Sequence, residues 1–262
     1  MAGVDFNSDL GESLGLWERG ADDAMMQVIS SANVACGFHA GDPGVMRETL
    51  AKAQRHRVAV GAHPGLPDLL GFGRRRMDVS PRDVRDYVLY QIGALSAFAH
   101  ALGLRLHHVK PHGALYVMAL DDPVVAAAVA EAVTEFDPGL PVYTLAGGAL
   151  AAAAERVGLR AVPEFFADRP LASDGSVVMF NWRDRIDASP QAIAQRVRSF
   201  LTTGSVPADD GTLVAVTAES ICVHSDTPNA AEIGPAVRAA IEGAGRDITA
   251  ELHRAAGAGE RR

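Results

Sequence analysis

The sequence predicts an α/β protein in which parallel strands close into a single distorted barrel of seven strands. Short apolar or β-branched runs alternate with longer runs of helical period, and seven strand and helix pairs follow one another along the chain. Consecutive pairs of this kind form parallel sheets with right-handed crossovers, either open and doubly wound or closed. Polar residues follow nearly every strand, and a closed barrel gathers many strand ends around one mouth. We therefore favour the barrel.

The strand signal is a short apolar run bounded by glycine, proline or polar residues. It selects residues 4–7, 33–38, 58–62, 106–110, 142–145, 161–165 and 213–222, and the last run is long enough for two pieces. The helical period selects residues 23–32, 44–55, 81–102, 113–136, 149–157, 190–202 and 230–242, with the fourth helix split. Each helix is expected to return the chain to the start of the next strand.

Several helix boundaries carry residues with a known physical role. Ser80 and Ser189 each precede a proline, so that the hydroxyl can cap the helix while proline takes the first helical position. Gly103 and Gly158 follow predicted helix ends, where a left-handed residue is favoured. These residues predict where the third, fifth and sixth helices begin or end.

Length and composition narrow the class of protein. The 262 residues can form one large core, and we expect one barrel domain over residues 1–246 and a flexible tail over 247–262. A net charge of -8 without a long basic block argues against nucleic acid as the main ligand. The two cysteines favour a reducing cytoplasm over a disulfide framework. The first residues lack a signal-peptide pattern and no apolar run is long enough to span a bilayer, so no membrane partner is expected.

Four histidines lie directly after predicted strands, beside small residues or prolines. Each one alone fits a packed or hydrogen-bonded turn residue as well as a functional group. Four at corresponding positions of a barrel are expected to point into the same cavity. They are His39, His63, His112 and His224.

Two carboxylates follow the first strand in the sequence NSDLGES. Asp9 and Glu12 are candidates for a general base or for metal ligands. The alternative is that they stabilise the N-terminus of the following helix. We favour a functional role because Asp22 and Asp23 stand closer to that helix.

Lys110 ends an apolar strand in the sequence HVKPHGALY, where an ammonium group needs an anion. It is a candidate to hold a substrate carboxylate or to stabilise a developing oxyanion. The alternative is an ion pair with Asp9, Glu12 or Glu164. Cys36, by contrast, has apolar neighbours and no activating motif, so we interpret it as a core residue.

The sequence GFGRRRM, residues 71–77, is a glycine and arginine loop in an otherwise acidic chain. Guanidinium groups such as that of Arg74 can receive a carboxylate or a phosphate, although a solvated loop is the alternative. The chain has no G-x-x-x-x-G-K-[ST] or G-x-G-x-x-G sequence. Nucleotide chemistry would therefore need an unfamiliar site or another subunit.

Taken together, the motifs resemble the LamB/YcsF family over residues 4–242. They are VDFNSDLGES, SANVACGFHAGD, GAHPGLPDLLGFGRRRM, LYQIGAL, HVKPHGALY, FADR followed by DG, and CVHSD. The resemblance implies a barrel similar to that of polysaccharide deacetylases. It also implies a part in the ATP-dependent opening of the lactam of 5-oxoproline to L-glutamate, together with 5-oxoprolinase subunits B and C. ATP would be bound with or by those partners.

The resemblance also carries residue roles onto this chain. It assigns catalytic roles to Asp9, Glu12, Lys110 and His112. It assigns substrate contacts to His39, Asp42, His63, Arg74, Asp168, Arg169, His224 and Asp226. In this hypothesis one carboxylate activates water, Lys110 and the histidines stabilise the tetrahedral species, and an arginine binds the substrate carboxylate.

The chain departs from the family pattern at four positions, where the family usually has, in turn, asparagine, glycine, an aromatic residue and arginine. The residues present here are Val117, Ser225, Leu171 and the pair Met179 and Phe180. Because these positions are expected near the mouth, a different small lactam or amide remains a candidate substrate.

Two other functions stay open. One is a metal-dependent deacetylase or amidohydrolase, in which Asp9 and two of the four histidines bind a divalent cation, with His39 and His63 as first candidates. The deacetylase pattern of two histidines four residues apart is absent. The other is a binding subunit that delivers a small carboxylate to its partners without chemistry of its own.

Overall fold

The computed structural model describes residues 3–251. The barrel strands are β1 (Asp5–Leu10), β2 (Ser31–Ala35), β3 (Ala59–His63), β4 (Leu106–Val109), β5 (Val142–Thr144), β6 (Ala161–Phe166) and β9 (Ser220–Cys222). A separate pair comprises β7 (Ser205–Pro207) and β8 (Leu213–Ala215). The helices are α1 (Asp22–Met25), α2 (Pro43–His56), α3 (Pro81–Ala101), α4 (Gly113–Asp121), α5 (Pro123–Phe136), α6 (Ala149–Arg156), α7 (Pro190–Thr203) and α8 (Ala230–Gly243).

The predicted barrel is confirmed. Its strands follow chain order from β1 to β6, and β9 lies between β6 and β1 to close the ring. Every neighbouring pair is parallel, with Asp9 opposite Asn33 in β2 and Phe6 opposite Ile221 in β9. Since all strands run the same way, their carboxyl ends meet at one mouth.

The helices begin and end where side-chain chemistry directs them. Ser80 and Ser189 accept backbone hydrogen bonds at the starts of α3 and α7, as predicted. Gly103 and Gly158 have φ angles of 73° and 80°, which confirms the left-handed turns. Along α3 the apolar stripe is buried against the barrel, and the 0% exposure of Leu95 shows how completely. Burial of such a side chain contributes roughly 1.5–3 kcal/mol.

Four predicted elements differ clearly from the structure. The first strand continues to Leu10, so Asp9 lies within β1 and does not follow it. The first helix spans only Asp22–Met25, and β2 begins at Ser31 and ends at Ala35. The long run at residues 213–222 splits, because β8 pairs antiparallel with β7 outside the barrel and only Ser220–Cys222 joins the ring. Leu213 is 70% exposed, whereas the three residues of β9 are buried, so only the second piece fits a barrel wall.

The predicted tail begins later than residue 247. Val4 donates a hydrogen bond to the Asp247 carbonyl, and Thr249 donates one to the Val4 carbonyl. Ile248 packs against the core. Residues 252–262 lie outside the described residues, so the expected flexibility there stays a prediction. Within residues 3–251 no single helix is both long and apolar enough to cross a membrane, and α4 with α5 meets that test only jointly, across a 116° bend.

Candidate functional site

The barrel interior is lined by a polar ladder instead of the aliphatic layers typical of larger barrels. Alternate residues of β1 point inward, so that Asp5, Asn7 and Asp9 form one edge of the ladder. Asn33 on β2 donates to Asn7 Oδ1 and to Asp9 Oδ1, each at 2.8 Å. His108 Nε2 lies 2.6 Å from Asn33 Oδ1 and donates to it. The ladder therefore fixes the orientation of Asp9 at the mouth.

Lys110 lies at the centre of a second set of contacts, which we call the lysine network: Asn7, Asp9, Lys110, Glu164 and Cys222. Its Nζ atom is 2.9 Å from Glu164 Oε2 and 3.2 Å from each of Asp9 Oδ1, Asn7 Oδ1 and Cys222 Sγ. Burial opposes the charged ammonium, but Asp9, Cys222 and Glu164 outweigh it and raise the pKa of Lys110 well above its ordinary value. The ion-pair alternative for Lys110 is therefore observed, with two carboxylates at once.

Asp9 joins the lysine network to two histidines. Its Oδ2 atom faces His63 Nε2 at 3.4 Å and His224 Nε2 at 3.6 Å. Although burial favours the neutral acid, His63 and Lys110 hold the pKa of Asp9 well below its ordinary value. Asp9 is therefore an ionised carboxylate with imidazoles on two sides.

Beside Asp9 lies a group that we call the histidine cluster: Glu12, His39, His63 and His112. One ligand atom from each of the four lies within 4.8 Å of the others. Glu12 Oε1 is 3.4 Å from His39 Nε2 and 3.3 Å from His112 Nδ1. The rings of His39 and His112 stack with centroids 3.6 Å apart. The chain thus brings together one carboxylate and three imidazoles from four different strand ends.

The tautomers of two of these histidines follow from their carbonyl partners. His63 Nδ1 lies 2.7 Å from the Lys110 carbonyl and His112 Nε2 lies 2.8 Å from the Phe72 carbonyl. Since a carbonyl only accepts, both of these nitrogens carry the hydrogen. In the neutral rings the other two nitrogens, His63 Nε2 and His112 Nδ1, bear lone pairs and face each other at 3.0 Å.

Burial disfavours charge on three members of the histidine cluster: Glu12, His39 and His112. Burial, reinforced by the charge of Asp9, raises the pKa of Glu12 well above its ordinary value. Burial and then the neighbouring histidines lower the pKa values of His39 and His112 well below the ordinary value for imidazole. Glu12, His39 and His112 are therefore held toward their neutral forms.

Asp168 orients His224 on the other side of Asp9. His224 Nδ1 donates to Asp168 Oδ1 at 2.9 Å, and Arg169 Nη1 donates to Asp168 Oδ2 at 2.8 Å. Burial opposes ionisation, but Arg169 and His224 lower the pKa of Asp168 below its ordinary value. Thr227 adds a further hydrogen bond to the same carboxylate. The His224 Nε2 atom is thereby directed toward Asp9.

An arginine cavity of about 380 Å³ opens next to this group. Arg74 reaches Asp226 Oδ2 at 2.9 Å, and the guanidinium of Arg169 stacks over Trp182 at 4.2 Å. Arg183 also lines the cavity. The other two arginines of the loop point elsewhere, since Arg75 pairs with Asp68 and Arg76 with Asp121.

A second cavity of about 460 Å³ has an apolar wall and reaches Glu164 of the lysine network. Val117, Leu171 and Met179 lie on that wall. Phe180 lines the arginine cavity, and the Ser225 hydroxyl donates to the Asp9 carbonyl at 2.7 Å. All the departures from the family pattern thus lie where they were expected, around the mouth.

Asp42 and Cys36 share the motif SANVACGFHAGD with His39 but lie outside the histidine cluster. The Asp42 carboxylate accepts backbone hydrogen bonds from Gly15, Gly44 and Val45, at 2.7 Å, 2.7 Å and 3.0 Å. Asp42 is therefore the N-cap of α2. The sequence-based hypothesis gave it a substrate contact instead and did not include this structural role. Cys36 is buried, and burial raises the pKa of its thiol to about 12, in agreement with a core residue.

Several residues of the site are absent from the sequence-based hypotheses. Glu164 enters them only as a possible ion-pair partner, and Tyr116, which donates to Glu164 Oε1 at 3.0 Å, does not enter them at all. Asn33, His108 and Cys222 are also missing. One sequence signal could have revealed these partners: polar residues recur with a period of two in β1. Because β1 is buried on both faces, those polar residues must contact polar partners inside the barrel.

Comparison with known proteins identifies relatives over nearly the whole chain. The model of the LamB/YcsF family matches residues 4–256. The A subunit of 5-oxoprolinase from Heliobacterium modesticaldum is 48% identical, with 96% of this chain and 99% of that protein covered. A protein of the same name from Mycobacterium avium is 50% identical, covering 95% of this chain and 99% of that one.

Solved structures show the same fold. The lactam utilization protein of Thermus thermophilus has a TM-score of 0.89 and 48% identity, with coverage of 95% of this chain and 99% of that chain. A putative cellobiose-phosphate cleavage protein from Enterococcus faecalis has a TM-score of 0.54 at 13% identity, covering 95% and 97% of the two chains. The second likeness concerns the fold alone.

Proposed function

The chain belongs to the LamB/YcsF family, and we propose that it is the A subunit of a 5-oxoprolinase, a hydrolase that opens the cyclic amide of 5-oxoproline to give L-glutamate. The observation that carries this proposal is the match over nearly the full length, at 48% and 50% identity, to relatives named as the A subunit of 5-oxoprolinase. The buried charges and the two cavities at the barrel mouth supply a site suited to a small polar substrate.

We further propose that the reaction consumes ATP and takes place in an assembly with subunits B and C. An amide is a poor electrophile, and phosphorylation of the lactam oxygen by ATP would make the ring carbon open to attack by water. Cleavage of the C–N bond would then release the amine and leave an acyl phosphate, whose hydrolysis gives L-glutamate and inorganic phosphate. ATP is bound with or by the partner subunits. The word "subunit" in the names of the relatives supports an assembly. Two free, buried cysteines support a reducing cytoplasm as its location.

Within this proposal the arginine cavity binds the substrate carboxylate. Guanidinium groups bind carboxylates through paired hydrogen bonds, and Arg74 and Arg169 both line the cavity. Their present partners, Asp226 and Asp168, hold them in place. Asp168, the partner of Arg169, also binds His224, so the cavity adjoins the His224 and Asp9 pair.

Asp9 is the group that positions the attacking water in this proposal. Its Oδ2 atom lies between His63 Nε2 and His224 Nε2, so a water at this edge would meet one carboxylate and two imidazoles. The Asn33 and Lys110 contacts to Oδ1 leave Oδ2 as the oxygen directed to the substrate. Lys110 stabilises negative charge nearby.

The role of Asp9 is tested in the enzyme reconstituted with its partners, by ATP-dependent glutamate formation. For Asp9→Asn we expect kcat to fall by about 100-fold or more, the range for loss of a positioned acid–base group. His100→Gln on the exposed face of α3 is the matched control and should leave kcat unchanged. Near-normal turnover of Asp9→Asn would remove Asp9 from the chemistry.

The arginine loop offers a matched pair for the carboxylate contact. Arg74→Ala should raise KM for 5-oxoproline by about tenfold or more, because a charge-assisted hydrogen bond contributes roughly 1.5–3 kcal/mol. Arg76→Ala removes an exposed guanidinium whose partner Asp121 is also exposed, and KM should not change. Equal KM values for both variants would place the carboxylate elsewhere.

A second candidate substrate is another small lactam with an apolar substituent. Val117, Leu171 and Met179 give the 460 Å³ cavity an apolar wall that could receive such a group. Calorimetry of the isolated chain with 5-oxoproline and with lactams carrying alkyl groups compares the two candidates. Tightest binding of 5-oxoproline supports the main proposal, and binding without any glutamate formation in the full assembly would indicate a purely substrate-binding subunit.

A further inference from the structure

We propose that the histidine cluster is a metal site that holds one divalent transition-metal ion of the zinc class. The proposed ligands are Glu12, His39, His63 and His112. Glu12 therefore replaces Asp9, the carboxylate ligand suggested by the sequence. The inference concerns the site itself. It does not depend on which lactam is the substrate.

Three of the six ligand-to-ligand distances in the histidine cluster are close to those of a tetrahedral zinc shell, and the stacked ring of His39 would have to turn for all four residues to bind one ion. Zinc binds imidazole nitrogen and carboxylate oxygen at about 2.0–2.1 Å, so ligand atoms at the corners of a tetrahedron lie about 3.3–3.4 Å apart. Glu12 Oε1 lies 3.4 Å from His39 Nε2 and 3.3 Å from His112 Nδ1. His112 Nδ1 and His63 Nε2 are 3.0 Å apart. Three edges of the ligand set are therefore close to the length that a bound ion requires.

The tautomers provide an independent reason. When both rings are neutral, His63 Nε2 and His112 Nδ1 face each other with lone pairs, because the hydrogen of each ring is on the nitrogen that donates to a carbonyl. Two lone pairs at 3.0 Å repel unless a cation or a proton lies between them. A transition-metal ion accepts both lone pairs at once, and imidazole is its commonest protein ligand.

Buried polar atoms without partners point to the same place. Among residues 3–251, no hydrogen bond reaches Glu12 Oε1 or either ring nitrogen of His39. His39 is 1% exposed and Glu12 5% exposed, so bulk water does not compensate. A buried polar group without a partner costs roughly 1–3 kcal/mol, and metal coordination would remove that cost for both residues.

The surroundings hold the ligands in place. Carbonyls of Lys110 and Phe72 fix the rings of His63 and His112 from behind, the arrangement by which metal-binding histidines are usually oriented. Gly65 and Gly73 allow the backbone to approach His39, since a Cβ on either glycine would lie 2.6 Å from an atom of that residue. The carboxylates of Glu12 and Asp9 balance two positive charges.

The other group of potential ligands, Asp9, Cys222 and His224, suits a metal less well. Lys110 Nζ lies 3.2 Å from Cys222 Sγ and 3.2 Å from Asp9 Oδ1, so an ammonium charge already faces two of the three ligands. A second cation there would meet direct repulsion, which favours the histidine cluster.

Metal titration of the tag-free full chain tests the proposal without substrate, ATP or partners. The chelator-treated protein is titrated with Zn²⁺ by calorimetry, and we expect one ion per chain. Glu12→Gln and His112→Gln should each weaken Zn²⁺ binding by about 100-fold or more. His100→Gln is the matched surface control and Cys222→Ser tests the other group, and both should stay within about twofold of the parent chain.

Two further measurements keep the result decisive. Thermal unfolding of the metal-free variants shows whether each is folded, and His39→Asn replaces any variant that is not. Co²⁺ in place of Zn²⁺ should give the visible spectrum of a four-coordinate nitrogen and oxygen site without thiolate charge-transfer bands. Absence of stoichiometric Zn²⁺ binding by the folded parent chain, or full binding by both Glu12→Gln and His112→Gln, would overturn the proposal. Either outcome leaves the 5-oxoprolinase assay as a separate question.

Discussion

The lysine network and the histidine cluster lie side by side at the barrel mouth and differ in how completely their polar atoms are paired. Lys110 Nζ has four acceptors within 3.2 Å. In the histidine cluster His63 Nε2 and His112 Nδ1 lie 3.0 Å apart, and neither ring nitrogen of His39 has a hydrogen bond with any described residue. The comparison teaches that the polar atoms of the lysine network are paired within the part of the chain that the structure describes, whereas several of those in the histidine cluster are not.

The largest expected effect comes from breaking the lysine network. Lys110→Met leaves Asp9 and Glu164 buried without their shared cation, and removing one partner of a buried ion pair costs about 3–5 kcal/mol. Urea denaturation of the metal-free chain measures the loss. The control is Lys52→Met, whose partners Asp23 and Glu48 are exposed, and the loss there should be about 0–1 kcal/mol. Equal losses in both variants would contradict a stabilising role for the network.

A smaller effect is expected from Asp22, whose carboxylate accepts a hydrogen bond from the Gly11 N–H next to Glu12. Burial raises the pKa of Asp22 to about 6. Because the folded pKa lies above the unfolded one, near 3.9, the contribution of Asp22 to stability is fully present below about pH 4 and is lost as the pH rises through about 6. The loss is at most about 3 kcal/mol.

Asp22→Asn removes this titration while it keeps an oxygen acceptor. Denaturation midpoints between pH 4 and pH 7.5 should therefore fall for the parent chain relative to Asp22→Asn. Parallel curves for the two proteins would show that Asp22 titrates normally in the folded state.

Gly65→Ala perturbs the histidine cluster without removing a ligand. The new Cβ would lie 2.6 Å from His39 Nδ1, and Gly65 has an ordinary φ, so the clash with His39 is the main consequence. We expect a loss of about 1–3 kcal/mol, typical of overpacking, together with weaker Zn²⁺ binding. Gly93→Ala on α3 is the control, because nothing lies within 4 Å of its added Cβ. Gly93→Ala should stabilise the helix by up to about 1 kcal/mol. Unchanged Zn²⁺ binding by Gly65→Ala would show that His39 is not a ligand of the metal.

The sequence predicted the elements whose signals are local. Serine followed by proline located the starts of α3 and α7, and the same rule applied to Asp42 and Pro43 would have identified Asp42 as a cap. The splitting of residues 213–222 was less accessible, because pairing of β8 with β7 takes place outside the ring and no pattern within the run marks where the chain leaves one sheet for the other.

The sequence predicted many of the residues of the site, but not which of them contact one another. The positions of His39, His63 and His112 after strand ends followed from the barrel. Their convergence on Glu12, and the contact of Glu164 with Lys110, depend on register and side-chain rotamers that no short pattern encodes. The lysine network is distinguished from the histidine cluster by hydrogen bonds between residues far apart in the sequence, and spacing along the chain does not reveal those bonds.

The most direct measurement is an anomalous difference map from crystals of the tag-free chain grown with Zn²⁺, recorded above and below the zinc absorption edge. We expect one strong peak about 2.0–2.2 Å from His63 Nε2 and His112 Nδ1, with Glu12 and His39 completing the shell. A map with no peak at the histidine cluster, or with its peak at Cys222 and His224, would contradict the conclusion that the histidine cluster is the part of the mouth that a metal completes.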